Sequence, residues 1–170
     1  MYSRRDFSKL GLALAGGFAG LKGASTLIQP SQADTTPETF EVTKTEEEWK
    51  KILTPEQFQV LRKHGTERPG SSPLDANDAA GTYVCAGCAL ALYSSDTKFH
   101  SGTGWPSFWK PLENAIATAQ DDTYSMMRTE VHCRRCGGHL GHVFNDGPKP
   151  TGLRYCMNGV ALKFVPKGAA

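Results

Sequence analysis

Two Cys-x-x-Cys pairs, Cys85-Ala86-Gly87-Cys88 and Cys133-Arg134-Arg135-Cys136, constrain this chain more than any other feature. In each pair a tight turn aims two sulfurs at one point. Four thiolates gathered in this way surround a zinc ion tetrahedrally, with Zn–S near ~2.3 Å. The two turns must therefore meet in space although a long insertion separates them. Two disulfides, or a thioredoxin-like redox pair, are competing readings of the same cysteines. A further alternative groups Cys133, Cys136, His139 and His142, which strands Cys85 and Cys88. Four cysteines already close a site, and a closed all-cysteine site is structural rather than catalytic. The expectation is one structural Zn2+ per chain on Cys85, Cys88, Cys133 and Cys136, tying two halves of a sheet region together.

The chain has five cysteines, so this pairing leaves Cys156 over. It lies in Gly152-Leu153-Arg154-Tyr155-Cys156-Met157-Asn158. In a strand, Arg154, Cys156 and Asn158 point to one face, about 6–7 Å apart, and Tyr155 and Met157 to the other. A guanidinium at that distance favours the thiolate, the nucleophilic form of cysteine. Cys156 taken alone is equally compatible with an inert buried thiol. Two other segments bear on it. His139-Leu140-Gly141-His142-Val143-Phe144-Asn145-Asp146 sets two histidines before an acidic turn residue, a source of acid–base groups; two polar turn histidines, one of them capping a backbone carbonyl, would read the same way. Ser101-Gly102-Thr103-Gly104-Trp105-Pro106-Ser107-Phe108 holds Trp105 in a glycine–proline loop, where a tryptophan suits a pocket wall as well as a core.

The N-terminus reads as an address. Ser3-Arg4-Arg5-Asp6-Phe7-Ser8-Lys9 resembles a twin-arginine export signal, an apolar run follows from Leu10 to Leu21, and Ser31-Gln32-Ala33 offers a cleavage site after Ala33. A buried helix is the structural alternative, and an uncleaved signal would be a membrane anchor. The expected location is the periplasm. Twin-arginine export carries folded proteins, so zinc could be loaded before the thiols meet an oxidising compartment. Residues 1–33 hold four basic residues against one acidic. Removing them from the 19 basic and 17 acidic residues of the chain leaves 15 against 16. A domain that close to neutral gives no electrostatic reason to expect a nucleic-acid partner.

Residues 34–44 are polar and read as a flexible arm. Thr45 and Glu48 stand in capping-box spacing and start a helix running to about Leu53; Thr54, Pro55 and Gln57 start a second that ends near Gly65. Residues 66–81 read as a loop or wrap. From Gly81 short apolar segments alternate with turn residues: Thr82–Val84, Ala89–Tyr93, Ala115–Ala119, Thr123–His132, His142–Phe144, Leu153–Asn158 and Val160–Val165. These predict several short antiparallel strands and a mainly β fold.

Taken together, the two knuckles, Gly104-Trp105-Pro106-Ser107-Phe108, His139-Leu140-Gly141-His142-Val143-Phe144, Asp146-Gly147-Pro148, Pro150-Thr151-Gly152 and Arg154-Tyr155-Cys156 with Asn158 resemble the B class of methionine sulfoxide reductases over about residues 45–166. The resemblance implies two small antiparallel sheets with a few helices at the N-terminal side, in a monomeric domain spanning 45–167. It implies reduction of the R epimer of methionine sulfoxide, mainly in oxidised proteins or peptides. Cys156 would attack the sulfoxide sulfur, and His139 and His142 would position or protonate its oxygen. Trp105 would hold the ε-methyl group, with Phe108 lining the same pocket. Arg154, Asn158 and Asp146 would tune and orient the site. Many members of the family carry a resolving cysteine at the position of Thr103. With four cysteines on zinc, this chain has no thiol left to resolve a Cys156 sulfenic acid, so the expected reductant is external, a thioredoxin-like protein or a small thiol. A zinc-ribbon interaction module, a thiol redox sensor and a zinc hydrolase using His139 and His142 are the rival readings.

Overall fold

The computed structural model describes residues 39–123 and 127–168. The proposed signal, residues 1–33, and the first part of the arm lie outside the described residues. Residues 39–44 are not a loose end, which corrects the sequence expectation for that part of the arm. The Val42 N–H donates to the Arg135 carbonyl (2.9 Å), and the Phe40 ring meets His132 edge-on.

The two helices begin where their caps predict. In α1 (Glu46–Ile52) the Glu48 N–H donates to Thr45 Oγ1 (3.2 Å) while the Thr45 N–H donates to the Glu48 carboxylate (2.8 Å). In α2 (Pro55–Lys63) Thr54 and Gln57 repeat the exchange, with Pro55 in the first turn. Each box satisfies two amide donors that a helix start leaves without partners. Trp49 from α1 and Phe58, Val60 and Leu61 from α2 are buried in the common core.

Among the described residues, nine strands form two antiparallel sheets. They are β1 (Gly81–Cys85), β2 (Ala91–Ser94), β3 (Lys98–Phe99), β4 (Ser107–Phe108), β5 (Ile116–Asp121), β6 (Arg128–Cys133), β7 (His139–Phe144), β8 (Arg154–Met157) and β9 (Leu162–Pro166). The three-stranded sheet has the order β2-β1-β9 and the six-stranded sheet the order β3-β4-β8-β7-β6-β5. All seven expected strand segments carry strand. The last one opens with a 3-10 turn at Gly159–Ala161 before β9, and β7 starts at His139 rather than His142. β3 and β4 are not among the expected strands, because two residues cannot show a period. Tyr83 and Leu92 from the small sheet and Phe108, Val131, Leu140 and Met157 from the large one are fully buried between them. Among the described residues, no helix is long and apolar enough to cross a membrane.

Candidate active site

One row of the large sheet carries the chemistry. Cys156 on β8 stands opposite Ser107 on β4 on one side and opposite His142 on β7 on the other, and His142 in turn stands opposite Glu130 on β6. Residues directly opposite in an antiparallel pair project from the same face, with Cβ atoms about 4.5–5.5 Å apart. The order of strands therefore delivers the thiol between a hydroxyl and an imidazole. Gly141 allows the approach, since a Cβ there would collide with the Cys156 carbonyl.

A cavity of about 140 Å³ opens on this row, lined by Thr66, Trp105, Arg128, Gly141, His142, Phe144, Cys156 and Asn158. Trp105 and Phe144 supply aromatic walls; His142, Arg128 and Asn158 supply polar ones. A larger groove of about 800 Å³ lies between α2, residues 65–74 and residues 159–164. It shares Thr66 with the site but holds none of the reactive groups, so its size does not locate the chemistry.

The structure separates the two histidines. His142 lines the cavity, and its Nε2 lies 2.7 Å from Asp121 Oδ2. His139 is buried behind it, with ring centroids 5.3 Å apart. A register shift between Val131 and His132 inserts an extra β7 residue, and this bulge turns both rings to one side although they are three apart. His139 Nδ1 lies 2.7 Å from Glu130 Oε1, which also meets His64 Nδ1 at 3.0 Å. Its Nε2 is buried with no hydrogen-bond partner among the described residues.

Arg154 is held in place from two sides. Its Nε and Nη2 donate to the two Asp146 carboxylate oxygens (2.9 and 2.8 Å), and its guanidinium lies 4.4 Å above the Phe144 ring. Asp146 is largely exposed and outside the cavity lining, and its link to the site runs through Arg154. Asn158 donates from Nδ2 to the Leu140 carbonyl (3.0 Å) and accepts the Glu67 N–H on Oδ1 (3.0 Å). Glu67 carries no signal in the sequence. Its backbone carbonyl accepts the Trp105 indole N–H (3.3 Å), and its carboxylate accepts the Gly159 and Val160 N–H groups (2.5 and 2.9 Å). One residue of the wrap thus joins the tryptophan loop to the end of β8. Gly104, with φ 89°, lets that wrap close, since a Cβ there would press on Gly70 and Pro69.

Phe108 is a correction. It does not line the cavity. It is fully buried, stacked on Tyr93 at 4.3 Å and edge-on to Tyr83 at 4.9 Å. The reason is parity: Ser107 faces Cys156, so its neighbour Phe108 must face the core. Phe144, which the sequence shows only as part of a motif, supplies the wall instead. Asp121, Arg128 and Thr66 are further site residues that sequence reasoning misses, because their neighbourhoods carry no signal that they converge on Cys156.

Burial pushes the Cys156 thiol up from its ordinary value, against the downward pull of the Thr103 hydroxyl, the Arg154 guanidinium and the Ser107 hydroxyl. The expected effect of Arg154 is present, but desolvation outweighs it. Burial also pushes His142 down, opposed by its bond to Asp121 and assisted by the charge on Arg128. Both groups are thus biased toward their neutral forms.

The remaining four cysteines cluster where β1 ends and where the β6–β7 turn begins. Their sulfurs lie within 4.8 Å of one another, with Cys85–Cys136 at 3.8 Å and Cys88–Cys133 at 3.5 Å. A tetrahedron of sulfurs about 2.3 Å from a central zinc has edges of about 3.8 Å. All four are free thiols, which removes the disulfide alternatives. The donor set fits a closed structural Zn2+ site that clamps the small sheet to the large one, and neither His139 nor His142 belongs to it.

A cysteine between a histidine and a hydroxyl, under aromatic walls and outside the four-cysteine metal cluster, defines a thiol-dependent oxidoreductase with structural zinc. The SelR domain family matches residues 53–166. A peptide methionine sulfoxide reductase MsrB of Leptospira interrogans is 56% identical over 126 residues, covering 74% of this chain and 96% of that one. Its namesake from Methanosarcina barkeri is 60% identical over 124 residues (72% and 87%), and that of Bradyrhizobium diazoefficiens 55% over 127 (74% and 91%). The chain belongs to the SelR family, the methionine sulfoxide reductases of class B.

Proposed function

We propose that the chain reduces the R epimer of methionine sulfoxide, chiefly within polypeptides, by attack of Cys156 on the sulfoxide sulfur. The observation that carries this reading is the opposition of His142 and Cys156 across the β7–β8 ladder, in a cavity walled by Trp105 and Phe144. The aromatic walls receive the methyl group, and the polar side receives the oxygen. A sulfoxide oxygen leaves sulfur only when protonated. A neutral imidazole beside a thiol holds one proton between the pair, and that proton is the one the oxygen needs. The thiolate attacks, oxygen passes to Cys156, and the products are a thioether and a Cys156 sulfenic acid. An external thiol then condenses with the sulfenic acid, releasing water and leaving a mixed disulfide. A second thiol releases the enzyme as Cys156 thiol and the donor as disulfide. Support for an external donor is that Cys156 faces the Thr103 hydroxyl while the other four cysteines are gathered at the zinc site.

Residues 1–33 act in this reading as a twin-arginine signal cleaved after Ala33, delivering the folded enzyme to the periplasm, or to the membrane if uncleaved. Its support is the Arg4-Arg5 pair followed by the Leu10–Leu21 apolar run. Fractionation of cells expressing the chain and its Arg4→Lys/Arg5→Lys variant tests it; export of the variant at the parental level refutes it.

The activity is tested with peptides carrying each sulfoxide epimer, dithiothreitol as donor, and Cys156→Ser beside the parent. R-specific turnover by the parent alone is expected. Full activity of the serine variant refutes the assignment. One turnover without donor should leave a sulfenic acid on Cys156, and an intramolecular disulfide there would overturn the external-donor step.

A further inference from the structure

We propose that Ser107, Ser101 and Thr103 form a reversible hydroxyl relay that offers Cys156 an acceptor when it is a thiol and a donor when it is a thiolate, and that its terminal member, Thr103, is a catalytic residue. The proposal rests on Cys156 being the nucleophile.

Four links make a continuous chain. Thr103 Oγ1 lies 3.8 Å from Cys156 Sγ, within hydrogen-bond reach for sulfur. Ser101 Oγ lies 2.8 Å from Thr103 Oγ1 and 2.8 Å from Ser107 Oγ. Ser107 Oγ lies 3.1 Å from the Trp105 carbonyl oxygen. Ser107 is fully buried, and its place opposite Cys156 in the β4–β8 register roots the chain in the sheet. The Thr103 N–H also points at Ser101 Oγ (3.4 Å), which fixes the loop around the middle member.

Each hydroxyl has one proton to give and lone pairs to receive with. The chain has two concerted orientations; the first fills all four links, and the second leaves only the link to the Trp105 carbonyl empty. In the first, the Cys156 thiol donates to Thr103, Thr103 to Ser101, Ser101 to Ser107, and Ser107 to the Trp105 carbonyl. In the second, Thr103 donates to the Cys156 thiolate, Ser101 to Thr103 and Ser107 to Ser101, and the Trp105 carbonyl gives up its donor. Three hydroxyl rotations convert one into the other, with no movement of heavy atoms. The relay moves no proton along its length. The thiol proton leaves on the opposite side, where His142 and the substrate oxygen lie. Removing that proton from a buried sulfur is costly, and a hydroxyl that turns to donate at that moment lowers the cost without a fixed positive charge.

The other groups facing Cys156 are Arg154 on its own strand, His142 on β7 and Arg128 at the cavity wall. Arg154 is engaged by Asp146 through two hydrogen bonds, and His142 by Asp121. The hydroxyls beside the sulfur are Thr103 and Ser107, both members of the relay, and their protons can turn away when the thiol re-forms. After oxygen transfer the Thr103 hydroxyl meets the sulfenic acid. It cannot close a disulfide, so the sulfenic acid survives to meet the external thiol.

The test is the pH dependence of Cys156 alkylation by iodoacetamide in the zinc-loaded enzyme, read by peptide mapping. It does not require turnover, so it can fail while the assigned activity stands. Thr103→Val keeps the shape and removes the hydroxyl; the alkylation midpoint is expected to rise by about one pH unit, a tenfold loss of thiolate near neutrality. Thr103→Ser is expected to restore the parental midpoint, and Ser101→Ala to raise it part of the way. An unchanged midpoint in Thr103→Val would overturn the proposal. So would equal damage in Thr103→Ser and Thr103→Val, which would make the role one of shape. Where Thr103→Val fails to retain zinc, Ser101→Ala decides in its place, and an unchanged midpoint there overturns the relay.

Discussion

His142 stands directly opposite Cys156 in the β7–β8 register, and Asp121, from the far edge of the same sheet, holds the ring from its other side. The imidazole is therefore fixed by the sheet rather than by a loop. A general acid in such a position contributes about 10²–10⁴-fold. His142→Gln is expected to lower single-turnover rates by that order, with zinc content and circular dichroism unchanged. Asp121→Asn should cost less, since the ring remains in place and loses only its partner's charge. Parental rates in His142→Gln would transfer the acid role to another group.

Because burial pushes His142 down and Cys156 up, the pair carries one proton over the range between their two values. Below the His142 value it carries two, and the thiolate becomes scarce. Above the Cys156 value it carries none, and the sulfoxide oxygen lacks its proton. Single-turnover kcat/KM should therefore follow a bell in pH. Its acid limb falls below the ordinary imidazole value of about 6.5, and its alkaline limb above the ordinary thiol value of about 8.5. Arg154, whose value is raised by its hydrogen bonds to Asp146, keeps its charge across this range and adds no limb. Rates that go on rising beyond the thiol limb would show that the proton comes from elsewhere.

Zinc and chemistry should come apart cleanly. Cys88→Ser or Cys136→Ser opens the clamp between the sheets, with loss of the metal and a fall in Tm on the order of 20 °C. Cys156→Ser should hold one equivalent of zinc by metal analysis and keep the parental Tm. Zinc lost from Cys156→Ser would place that thiol in the metal site.

The parity of β4 makes opposite forecasts for two phenylalanines. Phe108→Ala should cost about 3–5 kcal/mol of stability in denaturant titrations, while the folded fraction keeps its kcat. Phe144→Ala should raise KM for N-acetyl-methionine sulfoxide with a smaller loss of stability, since its ring lines the cavity and lies under Arg154. A KM effect in Phe108→Ala larger than that in Phe144→Ala would reverse the assignment.

Thr103 lies close enough to Cys156 for a thiol in its place to reach the sulfur. Thr103→Cys should give, after one turnover without donor, an intramolecular disulfide in place of the sulfenic acid, seen by peptide mapping. A persistent sulfenic acid in that variant would show that the loop cannot close on the nucleophile.

Much of this is legible residue by residue. The caps at Thr45 and Thr54, the four-cysteine set and the unpaired Cys156 all follow from rules that act over a few positions. Strand parity correctly groups Arg154, Cys156 and Asn158. The same rule applied to Ser107 and Phe108 sends Phe108 to the core, but a two-residue strand shows no alternation by which to recognise it. The pull of Arg154 on the thiol has the direction its charge predicts, while its balance against burial needs the packing around Cys156.

Local runs of residues are enough to say which side chains are reactive, where the helices start, and that four sulfurs belong to one metal. Which groups face one another is set only in the folded molecule. The pairing of β8 with both β4 and β7 puts Ser107 and His142 on either side of the sulfur. The bulge in β7 turns His139 behind His142, and the wrap carries Glu67 to Asn158 and Trp105. These relations depend on register between strands distant in sequence, and register is settled by the packing of the whole sheet rather than by any short segment of it.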